Sequence, residues 1–206
     1  FYGVGWYRKH FTLPASAKDR YCTVEFDGAM SNARVWLNGQ ELGERPYGYS
    51  SFAFDLTPHL RFGGQENVLA VRLAPEDRSS RWYPGAGIYR NVWLVITGAI
   101  HITRWGTYIT TPDVSGTKAT VTIRTEIQNR RSSPAQITLQ TAILDAEGRQ
   151  VGRLATDQTI PANGKQTIDG KVDVSRPQRW DISHPHLYKA VSTVREGGRV
   201  LDRYVT

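Results

Sequence analysis

The side chains best suited to bind a ligand stand in one short segment, residues 76–83, with the sequence EDRSSRWY. Arg81 carries a planar guanidinium that donates paired hydrogen bonds to hydroxyl or carboxylate oxygens. Trp82 offers a flat apolar ring against which the C–H groups of a sugar ring pack, and Tyr83 extends that surface. The segment therefore predicts a ligand contact. An alternative stays open, in which Arg81 and Trp82 only dock the segment onto a neighbouring domain.

Two other groups have side chains capable of chemistry. His184 and His186 are one residue apart and resemble part of a metal site, but no third ligand stands nearby, so we expect no metal and no cofactor. Cys22 is the single cysteine, which excludes an intrachain disulfide. Its surroundings, YCTVEF, favour a small buried strand residue over a nucleophile.

The net charge of +7 comes from 26 Lys and Arg against 19 Asp and Glu. These charges are scattered, and no polybasic run or nucleic-acid motif accompanies them, so we expect a solvated surface and no nucleic-acid partner. No run of 18 apolar residues predicts a membrane span. The first residue is Phe1, so we expect an internal piece of a longer protein, whose compartment the sequence does not reveal.

Alternating apolar and polar residues dominate the second half of the chain. Ala119, Val121, Ile123 and Ile127 share one face of a predicted strand, and the residues between them are polar. The same period recurs at residues 137–143. Turn sequences at residues 132–134, 146–148, 161–164 and 196–198 separate such strands, and this spacing predicts a β-sandwich.

The first half is also predicted to be β-structure. Residues 35–42 read as a hairpin, because Asn38-Gly39 suits a type I′ turn. Strands are expected at residues 67–73 and 91–96, with a long loop between them over residues 74–89. We place the domain boundary near residue 98, which divides the chain into domains of residues 1–98 and 99–206.

Four segments, in order, resemble the N-terminal region of glycoside hydrolase family 2. They are GWYRKHF at 5–11, ARVWLNG at 33–39 continuing through GYSSFAFDL at 48–56, SRWYPGAGIYRNVWL at 80–94, and RWDISHPHLY at 179–188. The third segment is the most specific. The resemblance covers nearly the whole chain.

This resemblance implies an all-β fold: a jelly-roll, sugar-binding-type domain followed by an immunoglobulin-like sandwich. It also implies a downstream catalytic (β/α)8 barrel as the partner of this chain. Family members cleave β-linked sugars with retention, using two glutamates on that barrel, and often assemble as homo-oligomers. Neither catalytic motif occurs in this sequence, so we expect the chain to be inactive by itself and to help form the rim of the active site.

In β-galactosidases of the family, an acidic residue just before the tryptophan of this loop helps to hold the galactose hydroxyls. Ser80 occupies that position here, and Asp77 stands three residues earlier. A second family contact, an asparagine, corresponds to about Tyr2 and is also absent. We expect Asp77, Ser80, Arg81, Trp82 and Tyr83 to be the substrate-binding residues.

We prefer a β-galactoside as the substrate, with a β-glucuronide or β-mannoside as alternatives. Two other function classes stay open: a free-standing carbohydrate-binding module and a β-sandwich adhesion or scaffold protein. The match over residues 87–92, GIYRNV, argues against the scaffold protein, since a generic sandwich has no need for that loop. We expect Arg90 to satisfy polar groups inside the jelly roll, and Trp36 and Trp93 to pack in a core or an interface.

Overall fold

A computed structural model describes residues 3–76 and 85–206. Contacts between residues divide the chain into two compact units, Phe1–Thr97 and Gly98–Thr206. The described residues form sixteen β-strands and two single-turn 3-10 helices, Ala15–Ala17 and Thr57–His59. The predicted all-β fold is therefore confirmed. Within the described ranges, no helix has the length and apolar character needed to cross a membrane.

The first unit is built from nine strands. They are β1 (Gly5–Thr12), β2 (Tyr21–Phe26), β3 (Ala29–Met30), β4 (Ala33–Leu37), β5 (Gln40–Arg45), β6 (Phe52–Asp55), β7 (Glu66–Leu73), β8 (Gly87–Ile88) and β9 (Val92–Thr97). The larger sheet has the order β1-β7-β4-β5, a second sheet has the order β6-β2-β9, and β3 pairs with β8. All of these pairings are antiparallel.

The core of this unit lies between the two larger sheets. Every second residue of β2 is buried, including Cys22 and Phe26, and these side chains pack in one cluster with Val35 of β4 and Val71 of β7. Phe26 stacks on Phe52 with ring centroids 4.7 Å apart. Period-two burial on both sheets is what a sandwich requires, because each strand turns only alternate side chains inwards.

The predicted hairpin joins β4 to β5. Asn38 and Gly39 occupy its turn with φ of 52° and 86°, the two positive angles of a type I′ turn. The Asn38 amide also makes three hydrogen bonds: its nitrogen donates to the His59 carbonyl and to Asn67 Oδ1, and its oxygen accepts from the Val68 N–H. The turn is therefore attached to β7 as well as closing the hairpin.

The second unit is built from seven strands. They are β10 (Ile100–Val114), β11 (Lys118–Asn129), β12 (Ala135–Leu144), β13 (Gln150–Ile160), β14 (Lys165–Ser175), β15 (Lys189–Glu196) and β16 (Arg199–Val205). They form a sheet of order β10-β11-β14 and a sheet of order β13-β12-β15-β16, both antiparallel. This is the immunoglobulin-like sandwich that the sequence predicts.

The inward faces of this sandwich match the predicted alternation. Ile127 of β11, Leu139 of β12 and Val194 of β15 are each at most 2% exposed and belong to one cluster. Asn129 is also fully buried, but its amide nitrogen donates to the carbonyls of Ser133, Ile160 and Pro161. A polar residue is tolerated in this position because its hydrogen bonds are satisfied.

Candidate functional site

The five residues expected to bind substrate, Asp77, Ser80, Arg81, Trp82 and Tyr83, lie outside the described residues, as does Tyr2. The structure describes the residues on both sides of that segment. Before it, β7 ends at Leu73. After it, β8 begins at Gly87.

The described residues that flank the segment, Ala74 and Gly87, are both bonded to residues 30–32, at the end of β3 and before β4. The Ala74 N–H donates to the Ser31 carbonyl at 3.0 Å, and Asn32 Nδ2 donates to the Ala74 carbonyl at 3.1 Å. On the other side, Gly87 pairs with Met30 in the β3–β8 ladder. The base of the loop is therefore fixed by backbone and amide hydrogen bonds to residues 30–32.

The strand β8 corrects the prediction of an unbroken loop over residues 74–89. Gly87 has φ of 125°, a conformation that side-chain-bearing residues rarely adopt. A Cβ at this residue would also stand 2.9 Å from Tyr7 Oη. Gly85 also has a positive φ, of 67°, which favours glycine at that residue too. Two-residue strands such as β8 give no alternating pattern, so the sequence could not indicate it.

Three tyrosines beside this base were missed by the sequence reasoning. Tyr89 Oη donates to the Gly48 carbonyl at 2.9 Å, and the rings of Tyr47 and Tyr49 on either side of Gly48 have centroids 5.7 Å apart. Tyr47 is 62% exposed and Tyr49 is 57% exposed. Exposed aromatic rings with hydroxyl groups suit contact with a polar ring compound. The signal that could have found them is the Tyr-Gly-Tyr repeat directly after Pro46.

Arg90 corrects another expectation. It is exposed, and its guanidinium carbon lies 5.6 Å from the centroid of the Tyr89 ring. It therefore lies on the surface and does not satisfy polar groups inside the unit. A cation over an exposed aromatic ring is a weak attraction, so this contact fixes Arg90 only loosely.

The other candidates for chemistry are accounted for by local contacts. Cys22 is fully buried in β2, as predicted, and burial, followed by the charge of Asp55, raises the pKa of its thiol. His184 Nδ1 lies 3.3 Å from Asp181 Oδ1, which also accepts the backbone N–H groups of Ser183 and His184. Residues 3–76 and 85–206 contain no group of three His, Cys, Asp or Glu side chains arranged for a metal ion.

Trp36 and Trp93 are both outside the core. Trp36 projects from the outer face of β4 and packs beside Trp6 of β1, with ring centroids 5.2 Å apart. Trp93 is 51% exposed on β9, and its indole N–H donates to Asp27 Oδ2 at 2.9 Å. Of the two packing roles expected for these residues, the core is excluded and an interface stays open.

Comparison with protein families matches both units separately. Residues 1–98 match the family described as glycosyl hydrolases family 2, sugar binding domain, and residues 100–206 match glycosyl hydrolases family 2. Among curated proteins, the chain is 42% identical over 205 residues to Beta-galactosidase BoGH2A of Bacteroides ovatus, covering 99% of this chain and 24% of that protein. It is 36% identical over 224 residues to a beta-glucuronidase of Formosa agariphila, covering 98% of this chain and 23% of that protein.

Solved structures of family 2 proteins are also similar to this chain. A glycosyl hydrolase family 2 member from Bacteroides cellulosilyticus superposes with a TM-score of 0.96 at 36% identity, over 98% of this chain and 26% of that chain. The chain thus spans about a quarter of the length of the relatives that it matches.

Proposed function

Because the chain belongs to glycoside hydrolase family 2, we propose that it forms the two non-catalytic β-domains of a longer retaining β-glycosidase. In this role the two units support a catalytic (β/α)8 barrel and contribute to the rim of its active site. The observation that carries the proposal is the match of the whole chain to about a quarter of a beta-galactosidase.

The described carboxyl groups are consistent with a chain that does not break bonds. A retaining glycosidase needs two carboxyls about 5–5.5 Å apart, one of which has a raised pKa so that it can act as an acid. Among the described carboxyls, every clear shift of a pKa is downwards, and these groups are Glu126, Asp145, Asp173 and Asp181. Glu126, for example, accepts hydrogen bonds from Thr103 and Lys165, which favour its charged form.

Exposed apolar side chains in the first unit support a role as a docking domain. On β9, both faces of the strand are exposed, and the side chains are Val92 (39%), Trp93 (51%), Leu94 (42%) and Ile96 (43%). β9 is the last strand in the order β6-β2-β9, and among the described strands its partner is β2. A contiguous apolar strand of this kind is usually covered by another domain or subunit.

The second unit also has exposed apolar side chains. Ile182 is 90% exposed, Leu187 is 69% exposed and Trp180 is 59% exposed, all in the segment before β15. A mainly apolar hollow of about 520 Å³ lies beside this segment and is lined in part by Trp180 and Tyr188. The barrel of a longer protein is a natural cover for such a surface.

The loop of residues 77–83 is the part that we propose reaches the substrate. The described residues that flank it, Ala74 and Gly87, are both bonded to residues 30–32, and the exposed rings of Tyr47 and Tyr49 lie next to that base. In this proposal Arg81 donates to sugar hydroxyls and Trp82 packs on the ring face. Asp77 substitutes for the carboxylate that Ser80 lacks.

For the substrate, we propose a β-galactoside, supported by the 42% identical relative named a beta-galactosidase. A β-glucuronide is the second candidate, supported by the 36% identical relative named a beta-glucuronidase. The two sugars differ at C6, where the second carries a carboxylate, so the assay can separate them directly.

The decisive experiment compares residues 1–206 with the full-length natural protein on 4-nitrophenyl β-galactoside, β-glucuronide, β-mannoside and α-galactoside. We expect no turnover by residues 1–206, and full-length turnover of β-galactoside with kcat/KM at least about 10-fold above the β-glucuronide. Hydrolysis by residues 1–206 alone, turnover only of the α-galactoside, or a natural protein that ends at residue 206 would each contradict the proposal.

A further inference from the structure

The outer face of the β1-β7-β4-β5 sheet carries two tryptophans whose rings meet above β7. Trp6 belongs to β1 and Trp36 to β4, and both strands pair with β7. Strands separated by one neighbour are about 9.6 Å apart. The ring centroids are only 5.2 Å apart, with 33° between the planes, so the two rings lean towards each other across β7.

The residue of β7 beneath this pair is small. Ala70 lies opposite Arg8 of β1 and opposite Trp36 of β4, and it points to the same outer face. A larger side chain at residue 70 would occupy the space that the rings enclose. The result is an open hollow of about 460 Å³ whose lining includes Trp6, Arg8, Trp36, Asn38, Arg61 and Ala70.

The rings are accessible from solvent. Trp6 is 50% exposed, and the lining of the hollow is mainly apolar. Two tilted indole rings side by side give a broad, shallow aromatic surface, which matches the C–H face of one or two pyranose rings. Trp6 projects from β1 and Trp36 from β4, so the positions of both rings are set by strands of one sheet and not by a loop.

The charged groups at the hollow are of one sign. Arg8 and Arg61 are the charged residues of its lining, and the Arg8 guanidinium carbon lies 5.7 Å from the Trp6 ring centroid. Within the described part of the chain, neither guanidinium has a carboxylate partner. Arg34, which lies over Trp36, differs because both oxygens of Glu41 accept its hydrogen bonds at 2.8 Å.

The remaining polar residue of the hollow has its hydrogen bonds satisfied elsewhere. The Asn38 amide is engaged with His59, Asn67 and Val68. The polar groups left for a ligand are therefore the two guanidiniums, which recognise a planar carboxylate with paired hydrogen bonds. An apolar protein surface placed here would bury two uncompensated charges, which is costly.

We propose that this face binds an acidic saccharide, with a hexuronate ring on the Trp6–Trp36 pair and carboxylates of the saccharide on Arg8 and Arg61. The site involves none of residues 77–83. Its failure would leave the proposed hydrolase role unaffected, and failure of that role would leave this site unaffected.

The test is calorimetric titration of the 206-residue chain with a β-1,4-linked glucuronate tetrasaccharide and with cellotetraose, which differs from it only at C6. We expect a Kd of roughly 0.1–1 mM for the acidic ligand. Cellotetraose should bind at least about 10-fold more weakly, and the difference should shrink as salt is raised, because screening weakens the contact between charges.

Variants separate the two parts of the site. Trp36→Ala should lower the affinity for the acidic ligand at least about 10-fold by removing half of the aromatic surface. Arg8→Gln and Arg61→Gln should weaken binding of the glucuronate ligand but not of cellotetraose. Ala70→Glu, which fills the hollow and adds a negative charge, should abolish binding. Trp180→Ala removes an exposed tryptophan from the other unit and should change nothing.

Thermal melts of each variant show whether the chain stays folded. If Trp36→Ala does not stay folded, Arg8→Gln, at an exposed residue, tests the site in its place. Equal affinity for the two ligands would overturn the proposal. So would the lack of saturable binding of the glucuronate ligand up to about 10 mM, or a loss of binding in Trp180→Ala that Arg8→Gln and Ala70→Glu do not cause.

Discussion

Asn38 Nδ2 donates a hydrogen bond to Asn67 Oδ1 at 2.9 Å, which joins the turn of one hairpin to a strand 29 residues further along the chain. Asn67 is fully buried, and its amide also bonds the N–H and the carbonyl of Arg61, each at 2.8 Å. The two amides therefore connect the β4–β5 turn, β7 and the segment before β7. Trp36 belongs to β4, the strand that leads into this turn.

The first prediction concerns this network. Asn38→Gly keeps a residue that accepts the positive φ of the turn but removes three side-chain hydrogen bonds and leaves part of Asn67 unsatisfied. We expect a loss of about 2 kcal/mol in the free energy of unfolding, measured by urea denaturation. Asn163→Gly is the matched control, because Asn163 has φ of 49°, is exposed, and makes no side-chain hydrogen bond with the described residues. Equal effects of the two substitutions would contradict the role of the network.

The second prediction concerns the bulge in β10, where the pairing with β11 shifts register between Ile102 and Thr107. A Cβ at Gly106 would contact Thr103 Oγ1, and it would stand 2.7 Å from the Thr103 carbonyl oxygen and 3.0 Å from that of Glu126. Because two of these atoms are backbone, Gly106→Ala should cost about 1–3 kcal/mol of stability. Gly116→Ala enters open space and should change the stability by less than about 0.5 kcal/mol. Melting temperatures of the two variants provide the check, and an unchanged Gly106→Ala protein would refute the close approach.

The third prediction is a pH dependence centred on His101. Burial lowers the pKa of His101, and the charges of Arg130 and Lys165 act in the same direction, while the hydrogen bond to the Gly98 carbonyl and the charge of Asp202 oppose it. The unfolded chain therefore binds this proton more readily than the folded one. The contribution of neutral His101 to the free energy of unfolding is fully present above the histidine pKa of the unfolded chain, about 6.5. It is lost as the pH falls towards the lower pKa of the folded chain.

Melting temperatures between about pH 7.5 and pH 5 give the measurement. The unsubstituted chain should become less stable as the pH falls, and His101→Gln should flatten that slope. His59→Gln, at an exposed histidine, should keep the original slope. An unchanged slope in His101→Gln would mean that other groups cause the acid sensitivity.

The fourth prediction concerns Cys22, which is fully buried and has a thiol pKa raised by burial and by Asp55. A buried thiol in its neutral form reacts slowly with disulfide reagents. At about pH 8 the folded chain should show almost no reaction with Ellman's reagent, and the urea-unfolded chain should react fully. Since this is the single cysteine, its labelling reports unfolding of the first unit. Rapid labelling of the folded chain would show that β2 opens.

The fifth prediction concerns the loop of residues 77–83. In the full-length protein, Arg81→Ala should lower kcat/KM about 10- to 100-fold while the melting temperature changes little, because a contact with substrate is removed. Arg90→Ala is the control, since Arg90 is an exposed arginine near the same base. A lower melting temperature with unchanged kinetics would show instead that Arg81 serves to dock the loop.

Much of the fold follows from local pattern. The alternation of Ala119, Val121, Ile123 and Ile127 predicts the buried face of β11, and the Asn38-Gly39 pair predicts the β4–β5 turn. These features follow from sequence because strand faces have a period of two and a type I′ turn needs two positive φ angles. The short strand β8 and the bulge at Trp105, which has φ of 54°, depend on pairing with distant strands and leave no such pattern.

By itself, the sequence determined the all-β class, the strand faces, the burial of Cys22 and the family. Each of these depends on residue types at short separations, or on a motif that can be read in order. Only the tertiary structure brought Trp6 next to Trp36, bonded the described residues that flank the loop to residues 30–32, and placed Arg90 on the surface. The physical reason is that strands adjacent in a sheet come from distant parts of the chain, and their order is decided by packing of the whole sandwich.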